Sequence, residues 1–168
     1  MGKMLKNSVI PLLAFLVLAL PAVAQQADLS IVGGGGFSVG ENQDTHGISA
    51  VGLSFGYPYA GNHRIQLDYL FNNVHGTMED RHFATASYVL QSARGRTRPF
   101  VQIGGGVVRR TFRGRPPRAN DTGFAGVFGG GATISVWESL YIRPHIQVYA
   151  HGGPTLTVLP CVGVGYRF

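Results

Sequence analysis

The sequence predicts an all-β protein, an eight-stranded antiparallel up-and-down transmembrane β-barrel that follows a cleaved signal peptide. Three observations predict it. The composition combines 25 Gly, 10 Phe and 7 Tyr with only 13% charged residues, which suits strands and tight turns better than helices. Apolar residues recur at every second position in eight segments. The connections between these segments tend to alternate between short and long.

The first 24 residues have the three regions of a signal peptide. Lys3 and Lys6 precede an apolar run at 9–20, and small residues at 22–24 precede Gln25. We expect cleavage after Ala24, because the run is shorter than the roughly 20 residues of a membrane anchor. Loss of the two lysines leaves 12 basic residues against 8 acidic ones in the predicted domain, 25–168, a net charge of +4.

The predicted strands are defined by their apolar positions, and each is about as long as a tilted strand that crosses a bilayer, roughly ten residues. These positions span 29–39, 51–57, 65–71, 84–90, 101–107, 124–134, 140–148 and 156–168. Because no helix-length apolar run follows Gln25, a mature protein that enters a bilayer must do so as strands. A single Cys excludes a disulfide framework, and we expect no metal and no cofactor.

The connections predict which end of the barrel faces which side. The second, fourth and sixth (58–62, 92–98 and 137–139) are short, and the first, third and fifth (40–45, 72–80 and 111–121) tend to be longer, whereas the seventh, 151–154, is short again. Short turns on the periplasmic side and longer outer loops are typical of outer-membrane barrels. This orientation gives two aromatic belts. They comprise Phe55, Tyr57, Tyr88, Tyr166 and Phe168 at the periplasmic rim and Phe37, Tyr69, Phe71 and Phe124 at the outer rim.

Two further features are the Gly runs inside strands, at 33–36 and 104–106, and the ending Val162-Gly-Val-Gly-Tyr-Arg-Phe168. With the signal peptide, they make the chain resemble the small eight-stranded outer-membrane β-barrel family of the outer-membrane protein A transmembrane-domain type. In that family, a C-terminal aromatic preceded by apolar residues at every second position is read by the barrel assembly machinery. Val162, Val164, Tyr166 and Phe168 match this signal. The resemblance implies the outer membrane of a Gram-negative bacterium.

The interior of such a barrel holds little more than side chains, so we expect a polar plug and no open channel. The predicted lumen ion network consists of Asp28, Arg64, Asp68, Arg143 and Arg167. Barrel closure brings the first and last strands together, which predicts that Asp28 meets Arg167 at the periplasmic base. One aspartate cannot neutralise three guanidiniums, so carbonyls or water should satisfy the others. A gated ion or proton path is the alternative interpretation.

Two prolines, Pro144 and Pro160, fall on the apolar faces of the last two strands. Each removes a backbone donor from a sheet ladder. In an antiparallel pair the numbers of opposite residues add up to a constant. A turn at 151–153 makes this sum about 304, which places the prolines opposite one another. We therefore predict one local ladder break or bulge.

Five arginines cluster at the predicted outer rim. They are Arg109, Arg110, Arg113, Arg115 and Arg118. Guanidiniums bind phosphate groups bidentately, so these residues are candidate lipopolysaccharide contacts. A solvated loop at headgroup level is the alternative. A second cluster, Arg94, Arg96 and Arg98, falls in a periplasmic turn and is interpreted as solvated or as a contact with the inner leaflet.

Enzymes that act on lipid A on this fold need a Ser and a His together on the outer surface, with an acid to orient the His. The nearby pairs are His46 with Ser49 and His82 with Ser87, and each is separated by an odd number of residues, which places its members on opposite strand faces. We therefore expect no enzymatic activity and no catalytic residues.

The predicted function is a structural or surface-interaction role as an integral outer-membrane barrel. Its expected partners are outer-membrane lipid, lipopolysaccharide and the barrel assembly machinery, and no nucleic acid. Two alternatives stay open: a soluble periplasmic barrel that binds an apolar ligand inside, and a lipid A-modifying enzyme. The direction of the apolar stripes separates the first alternative from the membrane protein. The oligomeric state and any transported solute are left open.

Overall fold

The computed structural model describes residues 27–40, 44–77, 79–92, 94–112, 121–152 and 155–168, and the predicted signal peptide lies outside them. The described residues form eight strands: β1 (Asp28–Val39), β2 (Thr45–Ala60), β3 (His63–Val74), β4 (Glu79–Gln91), β5 (Thr97–Phe112), β6 (Asp121–Ser135), β7 (Leu140–His151) and β8 (Thr155–Arg167). Each strand pairs antiparallel with its neighbours in sequence, and β1 pairs with β8 to close the barrel. The predicted eight-stranded antiparallel up-and-down β-barrel is confirmed, and the cleaved signal peptide stays a prediction. No helix among the described residues is long and apolar enough to cross a membrane.

The apolar stripes point outward and the polar residues point inward. Val162, Val164 and Tyr166 of β8 are 51%, 51% and 49% exposed, whereas Arg143 of β7 is 3% exposed. The same alternation of buried and exposed positions runs along the other strands. A barrel that binds an apolar ligand inside requires the opposite arrangement, so the structure does not support that alternative.

The strands extend beyond the apolar segments from which they were predicted. β2 and β5 each contain 16 residues, and the third connection contracts from the predicted 72–80 to 75–78. Hydrophobic alternation marks only the apolar belt of the barrel, whereas backbone hydrogen bonding continues past it through polar residues. We call the end where β1 begins and β8 ends the base, and the opposite end the top.

The predicted register of β7 and β8 is wrong. The numbers of opposite residues add to 306 and not to the predicted 304. Pro144 stands opposite Val162, and Pro160 stands opposite Ile146, so the prolines do not face one another. The β7–β8 ladder runs without a gap from Leu140 to His151. The reason is that β7 ends at His151 and β8 begins at Thr155, each one residue later than assumed, and this shift displaces every pair.

Each proline instead lies at a gap in the ladder that its strand forms with the other neighbouring strand. The β1–β8 ladder has no pairs at 159–160, and the β6–β7 ladder has none at 143–144, although pairing resumes beyond both gaps. The carbonyl oxygens of Pro160 and Pro144 point at β1 and β6, toward Gly34 and Gly131 respectively. The missing N–H of each proline therefore falls on that same side. The prediction of a single break is corrected to two.

The prediction of a polar plug holds for only part of the interior, which is divided into three layers. Polar and charged side chains fill the base and the top, and an apolar cluster separates them. The larger members of this cluster are Val32, Leu70, Phe83, Tyr149 and Leu159. The cluster is fully buried between the strands, so it closes the lumen by close packing.

Candidate functional site: two polar layers and an outer groove

The polar layer at the base is organised around Asp28, the first residue of β1. Its carboxylate accepts a hydrogen bond from Arg64 Nη2 on one oxygen and from Tyr141 Oη, at 2.8 Å, on the other. Arg143 Nη2 lies 3.9 Å from the same carboxylate. All four side chains are buried. A carboxylate removed from water in this way is stabilised by charge-assisted hydrogen bonds.

A glycine lets Arg64 reach Asp28 across the intervening strand. Gly56 of β2 lies between them, and a Cβ at this position would be 2.5 Å from Arg64 Nη2 and 2.9 Å from Asp28 Oδ1. Gly165 of β8 has a similar effect, because a Cβ there would overlap the ring of Tyr141. Both glycines therefore provide the volume that the charged layer occupies.

Asp68 joins this layer through an amide. Gln66 Nε2 donates to both carboxylate oxygens of Asp68, at 2.9 and 3.1 Å. Arg143 Nη1 donates to Gln66 Oε1 at 2.8 Å, and Arg143 Nε donates to Thr133 Oγ1 at 3.1 Å. The predicted residues Asp28, Arg64, Asp68 and Arg143 thus lie in one connected set of contacts.

Arg167 is placed differently from the prediction. It is the register partner of Asp28, but its guanidinium lies against the ring of Tyr141, 5.8 Å from the ring centroid, and forms no ion pair with Asp28. The reason is that Arg64 and Tyr141 already occupy the two carboxylate oxygens. Arg167 instead lines a cavity of about 340 Å³ at the base with Arg64, Arg98 and Gln91.

The polar layer at the top is centred on Arg81, which is not among the lumen residues predicted from the sequence. Arg81 Nε and Nη2 donate to the two oxygens of Glu79, at 2.7 and 3.3 Å. Arg81 Nη1 donates to Ser38 Oγ at 2.7 Å and to Thr157 Oγ1 at 3.3 Å, and lies 3.5 Å from His151 Nε2. The position of Arg81 could have been predicted, because it lies two residues before the buried Phe83 on β4 and therefore on the same, inward face.

The candidate lipopolysaccharide contacts divide between the two faces. Arg109 of β5 is exposed on the outside of the barrel near the top. Arg110 points inward, where Nη2 donates to the carbonyl of Gly152 at 3.2 Å and lies 3.4 Å from His151 Nδ1. Arg110 is therefore not an exterior contact, because neighbouring residues of a strand face opposite sides. The other three, Arg113, Arg115 and Arg118, lie outside the described residues.

Arg109 belongs to a groove on the outer surface of β3, β4 and β5. This outer groove has a volume of about 450 Å³ and is lined by Tyr69, His82, Ala84, Val107, Arg109 and Thr111. Tyr69 Oη and His82 Nδ1 are 2.8 Å apart, and the ring of Phe71 packs against His82 at 5.1 Å. The outer groove thus combines an apolar floor with a polar edge that contains one guanidinium.

A Ser–His pair lies on the outside near the top and was not among the predicted pairs. Ser49 Oγ of β2 and His75 Nε2 of the β3–β4 turn are 3.0 Å apart, and both side chains are exposed. The backbone N–H of His75 donates to Gly47 O at 2.8 Å, which continues the β2–β3 pairing and holds the two residues side by side. The two positions are 26 residues apart, so only the register reveals them.

The residues of the predicted assembly signal lie in one exterior row on β8. Val162, Val164, Tyr166 and Phe168 are all exposed, and the rings of Tyr166 and Phe168 meet edge to face at 5.3 Å. Phe168 N donates to Ala27 O at 2.9 Å, which ties the end of the chain to the start of β1. Recognition of this row by the assembly machinery stays a prediction.

Comparison with solved structures identifies the fold as that of small eight-stranded outer-membrane β-barrels. Neisserial surface protein A has a TM-score of 0.71 and 10% sequence identity, and the alignment covers 85% of this chain and 97% of that one. Ail, the attachment invasion locus protein of Yersinia pestis, in complex with the heparin analogue sucrose octasulfate, has a TM-score of 0.59 at 12% identity, with 85% and 99% covered.

The outer membrane enzyme PagL has a TM-score of 0.55 at 14% identity, with 84% of this chain and 99% of that one covered. No protein-family model matches the sequence, and none of the curated proteins compared with it is similar. At these identities the similarity establishes a shared fold, and the fold hosts both surface proteins and an enzyme.

Proposed function

We propose that the protein is an integral outer-membrane barrel with a structural or surface-interaction role in the bacterial envelope, closed to solute flow by its packed interior. One observation carries the proposal: a continuous apolar exterior surrounds buried charges such as Arg64 and Arg143. In water this arrangement would expose most of the apolar surface, whereas in a bilayer it places each class of side chain in its preferred solvent.

The test is fractionation combined with unboiled gel electrophoresis and conductance. The protein is expected in the outer-membrane fraction, with a folded band whose mobility changes on boiling. When it is reconstituted into planar bilayers, the packed apolar layer around Phe83 and Tyr149 predicts no sustained ion conductance. Recovery in the soluble periplasmic fraction contradicts the membrane proposal, and a stable open channel contradicts the closed lumen.

Surface interaction is proposed to include the phosphate groups of outer-leaflet lipid, bound at the outer groove. Support comes from charge and chemistry, because Arg109 stands above an apolar floor formed by Ala84 and Val107. A guanidinium beside an apolar surface suits a lipid that presents a phosphate next to its acyl chains. His82 and Thr111 add further polar groups at the same edge.

This contact is tested by Arg109→Gln, with Arg94→Gln as a control that removes the same charge from an exposed turn at the base. Co-purified lipopolysaccharide per barrel is measured after detergent extraction at fixed salt. We expect a loss of about three- to tenfold for Arg109→Gln, the net effect of about one ordinary hydrogen bond, and no loss for Arg94→Gln. Equal retention in both variants contradicts the proposed contact.

A second candidate function, hydrolysis of a lipid ester, is favoured by the Ser49–His75 pair alone. A His within hydrogen-bond reach of a Ser is the arrangement that activates a hydroxyl nucleophile. However, no carboxylate among the described residues is hydrogen-bonded to His75, so the group that orients a catalytic His is not supplied there. The pair also serves as an ordinary cross-strand contact.

Mass spectrometry of lipid A separates the two functions. Cells that express the wild type, Ser49→Ala or no barrel are compared for acyl chain number. The non-enzymatic proposal predicts identical lipid A in all three. Loss of an acyl chain that requires both the barrel and Ser49 establishes the hydrolase instead.

A further inference from the structure

The arginines at the base cavity carry more positive charge than the neighbouring Asp28 balances. Arg64, Arg98 and Arg167 line it, and Arg143 lies directly beyond, within 3.9 Å of Asp28. Across the part of the chain that the structure describes, Asp28 is the carboxylate that lies within 4 Å of any of these four guanidiniums. Like charges held together in a partly enclosed site repel strongly unless an anion joins them.

Each of the three cavity arginines also has an unused donor. Arg64 Nε, Arg98 Nε and Arg167 Nη2 are buried and have no hydrogen-bond partner among the described residues. Arg64 is more than nine-tenths buried, and its remaining nitrogens hold Asp28 and Gln91. A buried charged donor without a partner is costly, so the described residues do not fully satisfy the guanidiniums of this cluster.

The polar groups approach the cavity from several directions. Arg64 is on β3, Arg98 on β5 and Arg167 on β8, and the side chains of Asn62, Gln91 and Ser92 complete the lining. Donors that converge from separate strands match the several oxygens of a tetrahedral oxyanion such as phosphate, and guanidiniums bind phosphate oxygens in pairs. A volume of about 340 Å³ accommodates a phosphate with several waters, each of which takes about 30 Å³.

The cavity opens at the rim of the base. Gly61 and Asn62 of the β2–β3 turn and Ser92 of the β4–β5 connection form its edge. Either a dissolved phosphate or the phosphate of a lipid headgroup at the inner leaflet can therefore reach it. We propose that this base cavity is a phosphate-binding site in which Arg64, Arg98 and Arg167 hold the anion.

The site is tested with inorganic phosphate on the purified protein in zwitterionic detergent. The unfolding midpoint is measured against phosphate concentration, with sodium chloride at matched ionic strength. A saturable rise with phosphate and none with chloride is expected, because a ligand that binds only the folded state stabilises it. Arg98→Gln and Arg167→Gln should each raise the apparent dissociation constant about tenfold or more.

The control is Arg94→Gln, which removes one exposed charge from the same end of the barrel without touching the cavity. It should bind phosphate like the wild type. If it weakens binding as much as Arg98→Gln does, the effect is a general response to charge and the site is overturned.

Vesicles distinguish the source of the phosphate. Barrels are reconstituted in phosphatidylcholine with and without phosphatidylglycerol, in phosphate-free buffer and after addition of phosphate. A rise in midpoint that needs phosphatidylglycerol and disappears in Arg98→Gln assigns a lipid headgroup, whereas a rise that needs added phosphate in both vesicles assigns the free anion. If neither lipid nor phosphate shifts the midpoint, or if any shift is the same in Arg98→Gln as in the wild type, no phosphate site exists at the base.

Discussion

The two polar layers of the lumen use the same residue types with opposite results. At the top, Arg81 uses all three nitrogens on partners within the chain, two of them on Glu79. At the base, Arg64 and Arg143 share Asp28, and one nitrogen each of Arg64, Arg98 and Arg167 has no partner among the described residues. The top therefore resembles a self-contained plug, whereas the base resembles a site that needs an outside anion.

The contrast shows that an arginine in a barrel interior does not by itself define a role. What matters is whether a carboxylate stands at hydrogen-bonding distance. Glu79 lies two residues from Arg81 on the same face of β4, so local sequence supplies the partner. At the base the arginines come from four strands. Among the described residues, Asp28 of β1 is the carboxylate that pairs with them directly, whereas Asp68 of β3 reaches Arg143 through Gln66.

The largest expected effect comes from removal of Asp28, the acid that pairs directly with the arginines of the base. Asp28→Asn leaves Arg64 and Arg143 buried near one another without a countercharge. The free energy of unfolding in lipid vesicles should fall by about 3–5 kcal/mol, the cost of breaking a buried ion pair from one side. Urea titration followed by unboiled gels measures it, with the exposed Asp44→Asn as control. A loss no larger than that of the control contradicts the proposed centre of the layer.

Breaking the balanced layer at the top should cost less. Arg81→Met removes the contacts to Glu79, Ser38 and Thr157, but Glu79 lies close enough to the open end to be hydrated. We expect a loss of about 2–3 kcal/mol in the same assay. Arg94→Met, an exposed change of the same kind, is the control. If Arg81→Met is neutral, the top layer is not held by its ion pair.

A steric change at the base separates geometry from charge. Gly165→Ala places a Cβ against the ring of Tyr141, which donates to Asp28. Displacement of that ring should reduce the free energy of unfolding by about 1–2 kcal/mol. Gly126→Ala is the control, because a Cβ there meets nothing closer than 3.9 Å. Equal stability of the two variants shows that the ring has room to move.

The smallest effect distinguishes the surplus arginines from Arg81. In the absence of phosphate, Arg98→Gln should change the free energy of unfolding by no more than about 0.5 kcal/mol, because it removes a repelling charge together with a half-buried side chain. A loss as large as that of Arg81→Met shows that Arg98 is part of the structural network and that the base is as self-contained as the top.

Much of the fold could be predicted from the sequence because one physical pattern determines it. The alternation along β8, from Leu156 to Phe168, reports which side chains meet lipid and which meet the lumen, and the same pattern recurs in each strand. The pairing of β1 with β8 follows once eight such strands close with every neighbouring pair antiparallel. The position and facing of each strand depend only on local periodicity.

Register-dependent features could not be predicted as well. A shift of one residue in the β7–β8 turn moved Pro144 away from Pro160, and this shift leaves hydrophobic periodicity unchanged. The Ser49–His75 contact and the reach of Arg64 across Gly56 likewise depend on which residues stand opposite one another. Asp28, Arg64, Asp68 and Arg143 of the base layer were predicted from the sequence, but the role of Tyr141 and the pairing of these residues required three-dimensional positions.

The orientation of the outer face is tested most directly by fluorescence quenching from brominated lipid chains. The native Trp137, in a turn at the base, is replaced by Phe, and a tryptophan is introduced at Ile103, midway along the exterior of β5. The protein with native Trp137 and unchanged Ile103 is the control. Tryptophan at position 103 should show blue-shifted emission and be strongly quenched by bromine on the acyl chains, whereas Trp137 is quenched weakly. Water-like emission at position 103 without quenching would contradict a barrel whose apolar face contacts lipid.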